Sequence, residues 1–134
     1  MLYPIAIEVG DATTAFGVII PDVPSCFSAG DTYEESINNA KEALELHFEA
    51  LAEDGELPPQ GSQIDNFFRL PEYNGLVWAV IDINIDPFLG GAIKKNVTLP
   101  KLLLKKIDDV VKSNPLYKDR SHFLQVAASR ELQH

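Results

Sequence analysis

The sign of the charge reverses once along this chain, and it does so where the backbone chemistry breaks. Through residue 90, 16 acidic residues face two basic ones, Lys41 and Arg69, a balance of −14. From residue 91 to the end, nine basic residues face four acidic ones, a balance of +5, and the two sum to the formal −9. Pro87-Phe88-Leu89-Gly90-Gly91 lies at the junction. Proline removes a ladder donor, and paired glycines are permissive and entropically loose. Residues 1–86 are therefore expected to form one module, 87–91 a hinge, and 92–134 a second module. A −14 surface repels phosphate and suits a basic protein or cations, whereas a +5 tail suits a polyanion. Acidity that served only solubility would not change sign at one place.

Composition narrows the class. With 134 residues, 46% hydrophobic and 23% charged, the chain reads as an ordinary globular protein, not a fibrous or disordered one. It has no apolar run of about 18 residues, the length a membrane helix needs. Glu8 interrupts the N-terminal stretch before any long apolar core, so no signal peptide is expected. A lone Cys26 makes neither an intrachain disulfide nor a Cys-based zinc site, and a cytoplasmic location is the expectation.

The first module reads as α+β. Tyr3 to Val9 and Ala15 to Ile20 are β-rich runs joined by the turn residues Gly10-Asp11-Ala12-Thr13-Thr14, which predicts a hairpin. Pro21-Asp22-Val23-Pro24 breaks the ladder before a short third strand at Cys26-Phe27-Ser28. Thr32 and Glu35 form a capping box, and Tyr33, Ile37, Ala40, Leu44, Phe48 and Leu51 recur at helical spacing. The opposite face carries Glu34, Asn38, Glu42, Glu45 and Glu49; Gly55 and Pro58-Pro59 end the helix. A helical turn is expected over 64–69 and a long strand over 76–85, with the helix covering one sheet face.

Little in this module points to chemistry. Asp82, Asn84 and Asp86 share a strand face and, with Glu8 or Asp22, suggest a Mg²⁺ site for a metal-dependent nuclease. Solvent-facing positions of a half-covered strand explain them more simply. His47, His122 and His134 are scattered, and no triad, Walker loop or GxGxxG is present. Cys26 reads as a small buried hydrophobe. Neither an enzyme nor a cofactor is expected.

In the second module, Ile93-Lys94-Lys95-Asn96-Val97-Thr98-Leu99 alternates, with Lys94, Asn96 and Thr98 on one face of a strand. Pro100 suits a helix start, and Leu103, Ile107, Val110 and Val111 supply its stripe until Pro115 intervenes. Asp119 is placed to cap a second helix carrying Phe123, Leu124, Ala127, Ala128 and Leu132. One strand and two helices are too few to fold alone without staples, so the strand is expected to pair with its own copy across a two-fold axis. Such a ribbon fits the DNA major groove, where Lys94, Asn96 and Thr98 have the right chemistry for base edges. The first amides of the second helix, near Arg120 and Ser121, are placed for a backbone phosphate. The remaining lysines, Lys101, Lys105, Lys106 and Lys112, read as a solvated coat.

Two family resemblances carry these readings further. Lys94 to Glu131 resembles a ribbon-helix-helix (β-α-α) DNA-binding domain. Pro21-Asp22-Val23-Pro24-Ser25-Cys26, followed by Gly30-Asp31-Thr32-Tyr33-Glu34-Glu35-Ser36 and Ala40-Lys41-Glu42-Ala43, resembles the signature of HicB-type antitoxins. Ser25 replaces the usual glycine and Ser36 the usual alanine; Asp119 stands where a neutral cap is commoner, and its charge opposes a phosphate there. The resemblance implies a partial ribonuclease-H-like N-terminal fold without nuclease activity. It also implies a basic HicA-type ribonuclease toxin as partner and binding to the operator of their own operon. For the toxin, the acidic stripe Glu34, Glu42, Glu45 and Glu49 is the surface we expect to engage. A ligand-sensing ribbon-helix-helix repressor is the alternative.

Overall fold

The computed structural model describes residues 1–133, leaving His134 outside the described residues. Two compact units divide between Gly90 and Gly91.

The first unit holds a four-stranded antiparallel sheet of β1 (Leu2–Glu8), β2 (Phe16–Ile19), β3 (Phe27–Gly30) and β4 (Val77–Asp82), in the order β3-β2-β1-β4. The turn between β1 and β2 is built by Asp11, whose Oδ1 accepts from the Thr13 and Thr14 amides at 2.8 and 2.9 Å. These bonds hold the Asp11 carboxyl below its ordinary range. The expected long strand over 76–85 stops at Asp82. Beyond it Asn84 Oδ1 takes the Asp86 amide, and Asp86–Phe88 turns as a 3-10 helix. That turn drives Phe88 into the core, its ring 5.7 Å from Phe48. Part of the expected hinge is thus anchored to the first unit.

A single long helix, α1 (Tyr33–Glu53), packs on one sheet face. Its start follows the expected cap: the Glu35 amide donates to Thr32 Oγ1 at 3.1 Å. Ala40, Leu44 and Phe48 are fully buried against Tyr3, Ile5 and Ile7 of β1. Tyr33, expected in the stripe, is instead 39% exposed with its edge on Phe16, while Ser36 one turn on is fully buried. The cause is the tight entry from β3 into α1: a Cβ on Gly30 would sit 2.5 Å from the Ser36 nitrogen. A side chain is thereby excluded at position 30. Ser36 folds its hydroxyl back onto the Tyr33 carbonyl at 2.8 Å, so the serine stands in for the family's alanine with its polar atom bonded. Ser25 is equally free of strain, since no described non-glycine residue has positive φ.

On the opposite sheet face, Phe27, Ile19, Ala6 and Trp78 form one row across all four strands. Phe67 and Tyr73, from the loop before β4, stack and lean on Trp78. The helical turn expected over 64–69 shrinks to a 3-10 turn at Ile64–Asn66. Two polar ties fix that loop: Tyr3 Oη donates to the Pro59 carbonyl at 2.6 Å, and Asp22 accepts from the Ser62 amide and hydroxyl. Burial, helped by the Asp22 charge, raises the Tyr3 phenol above its ordinary range.

The second unit contains α2 (Lys101–Ser113) and α3 (Arg120–Leu132). No strand forms over Ile93–Leu99 in the single chain, where Gly91 to Thr98 are exposed. An extended segment needs a ladder partner, and this chain supplies none there. Pro100 precedes α2 as its cap residue, and Asp119 caps α3 by accepting the His122 amide at 2.8 Å. Ile107 is the one buried residue of this unit among those described; Leu103 and Val110, expected in the stripe, are 47% and 38% exposed, and Leu104 turns inward instead. Tyr117 packs on Phe123 with ring centroids 5.0 Å apart.

Candidate functional site

Within the first unit the expected Mg²⁺ set does not converge. Asp82 pairs opposite Leu2, whereas Glu8 lies past the other end of the same strand pair, beyond Ile7 opposite Val77. Asp82 instead meets the N-terminal ammonium at 3.3 Å, and Asp22 is committed to Ser62. Among the described residues no group of three or more metal-ligating side chains comes together. Burial raises the Cys26 thiol and leaves it 6% exposed, the opposite of what a thiolate nucleophile requires. His47 packs beside Phe48 with centroids 6.3 Å apart.

What the first unit does present is a charged helix face. Glu42, Glu45 and Glu49 line one shallow depression of about 280 Å³ together with Leu46, which is 66% exposed. These positions follow from α-helical spacing: residues three and four apart are surface neighbours. Only two ion pairs form among the described residues, and neither involves α1, although Lys41 lies four residues before Glu45 on the same helix. Like charges at this spacing destabilise a helix. Glu34 sits two turns earlier in the first turn of α1, where it also complements the helix dipole. Leu46 was not singled out by periodicity because it falls outside the buried stripe. Its one signal is being a large apolar residue among acids.

The second unit offers a different surface. Lys94, Asn96 and Thr98 are all exposed on the segment ahead of α2. Arg120 and Ser121 are the first residues of α3 and are also exposed. Arg120 is not a free cation, however. Its Nε and Nη2 donate to the two carboxylate oxygens of Asp108 on α2 at 3.0 and 2.9 Å. The guanidinium holds the Asp108 carboxyl below its ordinary range, and Asp108 in turn raises Arg120. In the sequence Asp108 registers only as a charge, since twelve residues and the link between two helices separate it from Arg120. Leucine, isoleucine and valine side chains crowd the surface here: Ile93, Val97, Leu102, Leu103, Val110, Leu116 and Leu132 are all at least 38% exposed.

Comparison with known proteins agrees with the signature at Pro21 to Ser36. A chain of 43% identity over 132 residues, covering 98% of both proteins, is an uncharacterised 14.9 kDa protein of the rep-hol intergenic region of Haemophilus phage HP1. The crystal structure of the antitoxin HicB3 superposes with a TM-score of 0.82 at 31% identity, covering 98% of this chain and 97% of that one. A chain of the HicA3 and HicB3 toxin-antitoxin complex matches 63% of this chain and 99% of its own length, at 30% identity and a TM-score of 0.53. The profile of the HicB_like antitoxin of bacterial toxin-antitoxin systems matches residues 3–128, nearly the whole length. The chain therefore belongs to the HicB-like antitoxin family, regulatory proteins that are not enzymes.

Proposed function

We propose that this antitoxin neutralises a HicA-type mRNA-cleaving ribonuclease through its first unit and represses its own operon through its second. The observation that carries the reading is the coincidence of two boundaries. The charge changes sign at the same place where the chain divides into two units, between Gly90 and Gly91. An acidic body whose α1 carries a single lysine, Lys41, and no ion pair is electrostatically suited to cover a basic RNA-binding surface. Its partner class is supported by the likeness to a chain of the HicA3–HicB3 complex.

For the second unit the reading is a ribbon-helix-helix homodimer on operator DNA. Residues 92–134 would pair through the 93–99 segment, after a first domain at 1–86 with a partial ribonuclease-H-like plan. Two facts support self-association: among the described residues of a unit of about 44 only one is buried, and seven large apolar side chains face solvent. Lys94, Asn96 and Thr98 would then line the shared ribbon, with Arg120 and Ser121 toward the backbone. No helix among the described residues is long and apolar enough to cross a membrane, in keeping with a cytoplasmic site of action.

The test is co-expression with the short basic reading frame expected beside this one. The full chain should co-purify with that product, silence its RNA cleavage, and shift duplex DNA from the region upstream of both. Active cleavage in the presence of excess antitoxin would defeat the reading of the first unit. Failure to shift that DNA at low salt would defeat the reading of the second.

A further inference from the structure

Asp108 is a carboxylate beside the place where a polyanion is expected, which simple electrostatics makes unfavourable. Its geometry gives it another use. A guanidinium has five N–H donors in a rigid planar fork. Asp108 takes the Nε and Nη2 donors from one edge. The edge formed by Nη1 and the second Nη2 hydrogen remains, and side-on capture fixes the plane in which it points. Arg120 is the first residue of α3, so the side chain that carries this edge is rooted at the helix start. Without Asp108 a long side chain that is 53% exposed would sample many rotamers and lose that freedom on binding. The charge of Asp108 is balanced by Arg120 and by Lys112, four residues further along α2, which lowers its repulsion toward an approaching phosphate.

We propose that Asp108 is a positioning residue for polyanion binding, a carboxylate that aims Arg120 at a DNA backbone phosphate by bonding the adjacent edge of its guanidinium. The inference rests on the DNA reading of the second unit and assigns that site a residue of the wrong charge sign.

The sign of one effect decides it. The full-length protein and its Asp108→Ala, Asp108→Asn and Arg120→Ala variants, with the Asp108→Ala/Arg120→Ala double, are titrated with a mixed-sequence duplex of about 30 base pairs across a salt series. A phosphate contact is blind to base sequence, so no operator is needed. Arg120→Ala should weaken binding by roughly 3–10-fold and flatten the salt slope by about 2, about one counterion for each protomer of the dimer. Asp108→Ala should weaken binding comparably although it removes a negative charge, Asp108→Asn less so, and Asp108→Ala should add nothing in the Arg120→Ala background. Should alanine at 108 unsettle the helices by circular dichroism, the near-isosteric Asp108→Asn carries the test. Unchanged or tighter binding in both Asp108 variants, or additive losses in the double variant, would overturn the proposal. If the unmodified protein ignores duplex at every salt concentration, the DNA reading itself falls, and this inference with it.

Discussion

Two small side chains set the entry to α1, and they predict opposite responses to one added or removed atom. A methyl group at Gly30 would meet backbone atoms of Ser36 at 2.5 and 2.8 Å, and backbone does not yield cheaply. Gly30→Ala should therefore cost more than about 1 kcal/mol in chemical denaturation. Ser36→Ala removes a hydroxyl bonded only within its own helix, and should stay within about 1 kcal/mol of the parent. Tyr3 makes a third residue-level prediction, on alkaline stability. Its phenol is raised above the ordinary 10.0 by burial and by Asp22. A group raised on folding contributes stability present below its unfolded value and lost as pH climbs toward the folded one. Thermal stability should thus decline above about pH 10, and Tyr3→Phe should flatten that part of the profile while costing about 1 kcal/mol at neutral pH through the lost bond to Pro59.

At the scale of elements, α1 was the most legible part of the sequence. Its cap, its stripe through Ala40, Leu44 and Phe48, and its acidic outer face are all local signals with helical period. Strand lengths were less legible. The run from Leu76 to Ile85 is continuously β-prone, yet pairing with β1 ends at Asp82, and pairing is a property of the partner strand. The same logic governs Ile93 to Leu99: alternation shows two faces, but a strand exists only where another backbone lies alongside. The Asp108–Arg120 clamp was invisible because it depends on how α2 and α3 meet, which no spacing rule encodes. The helix face itself yields a paired prediction. Replacing Glu42, Glu45 and Glu49 by Gln should stabilise the lone chain slightly, by about 0.2–0.5 kcal/mol per relieved pair, seen as a higher melting temperature. The same variant should weaken toxin binding. On the segment ahead of α2, Asn96→Ala or Thr98→Ala should relax operator discrimination by about 1–3 kcal/mol, read by competition between operator and scrambled duplex.

For the whole molecule, a net charge of −9 conceals two bodies of opposite sign. Both associations should weaken with salt, and DNA binding more steeply, because each neutralised phosphate releases a counterion. The division also separates the antitoxin signature from the stretch that resembles a ribbon-helix-helix, with Gly90 and Gly91 between them. The account is tested most directly by a ribonuclease titration. The purified product of the short basic reading frame expected beside this one is mixed with increasing full-length antitoxin, and RNA cleavage is followed alongside the Glu42→Lys/Glu45→Lys/Glu49→Lys variant. Cleavage should fall to zero at stoichiometric antitoxin and persist with the charge-reversed helix. Cleavage untouched by the parent chain, or silenced equally well by the variant, would contradict the central claim.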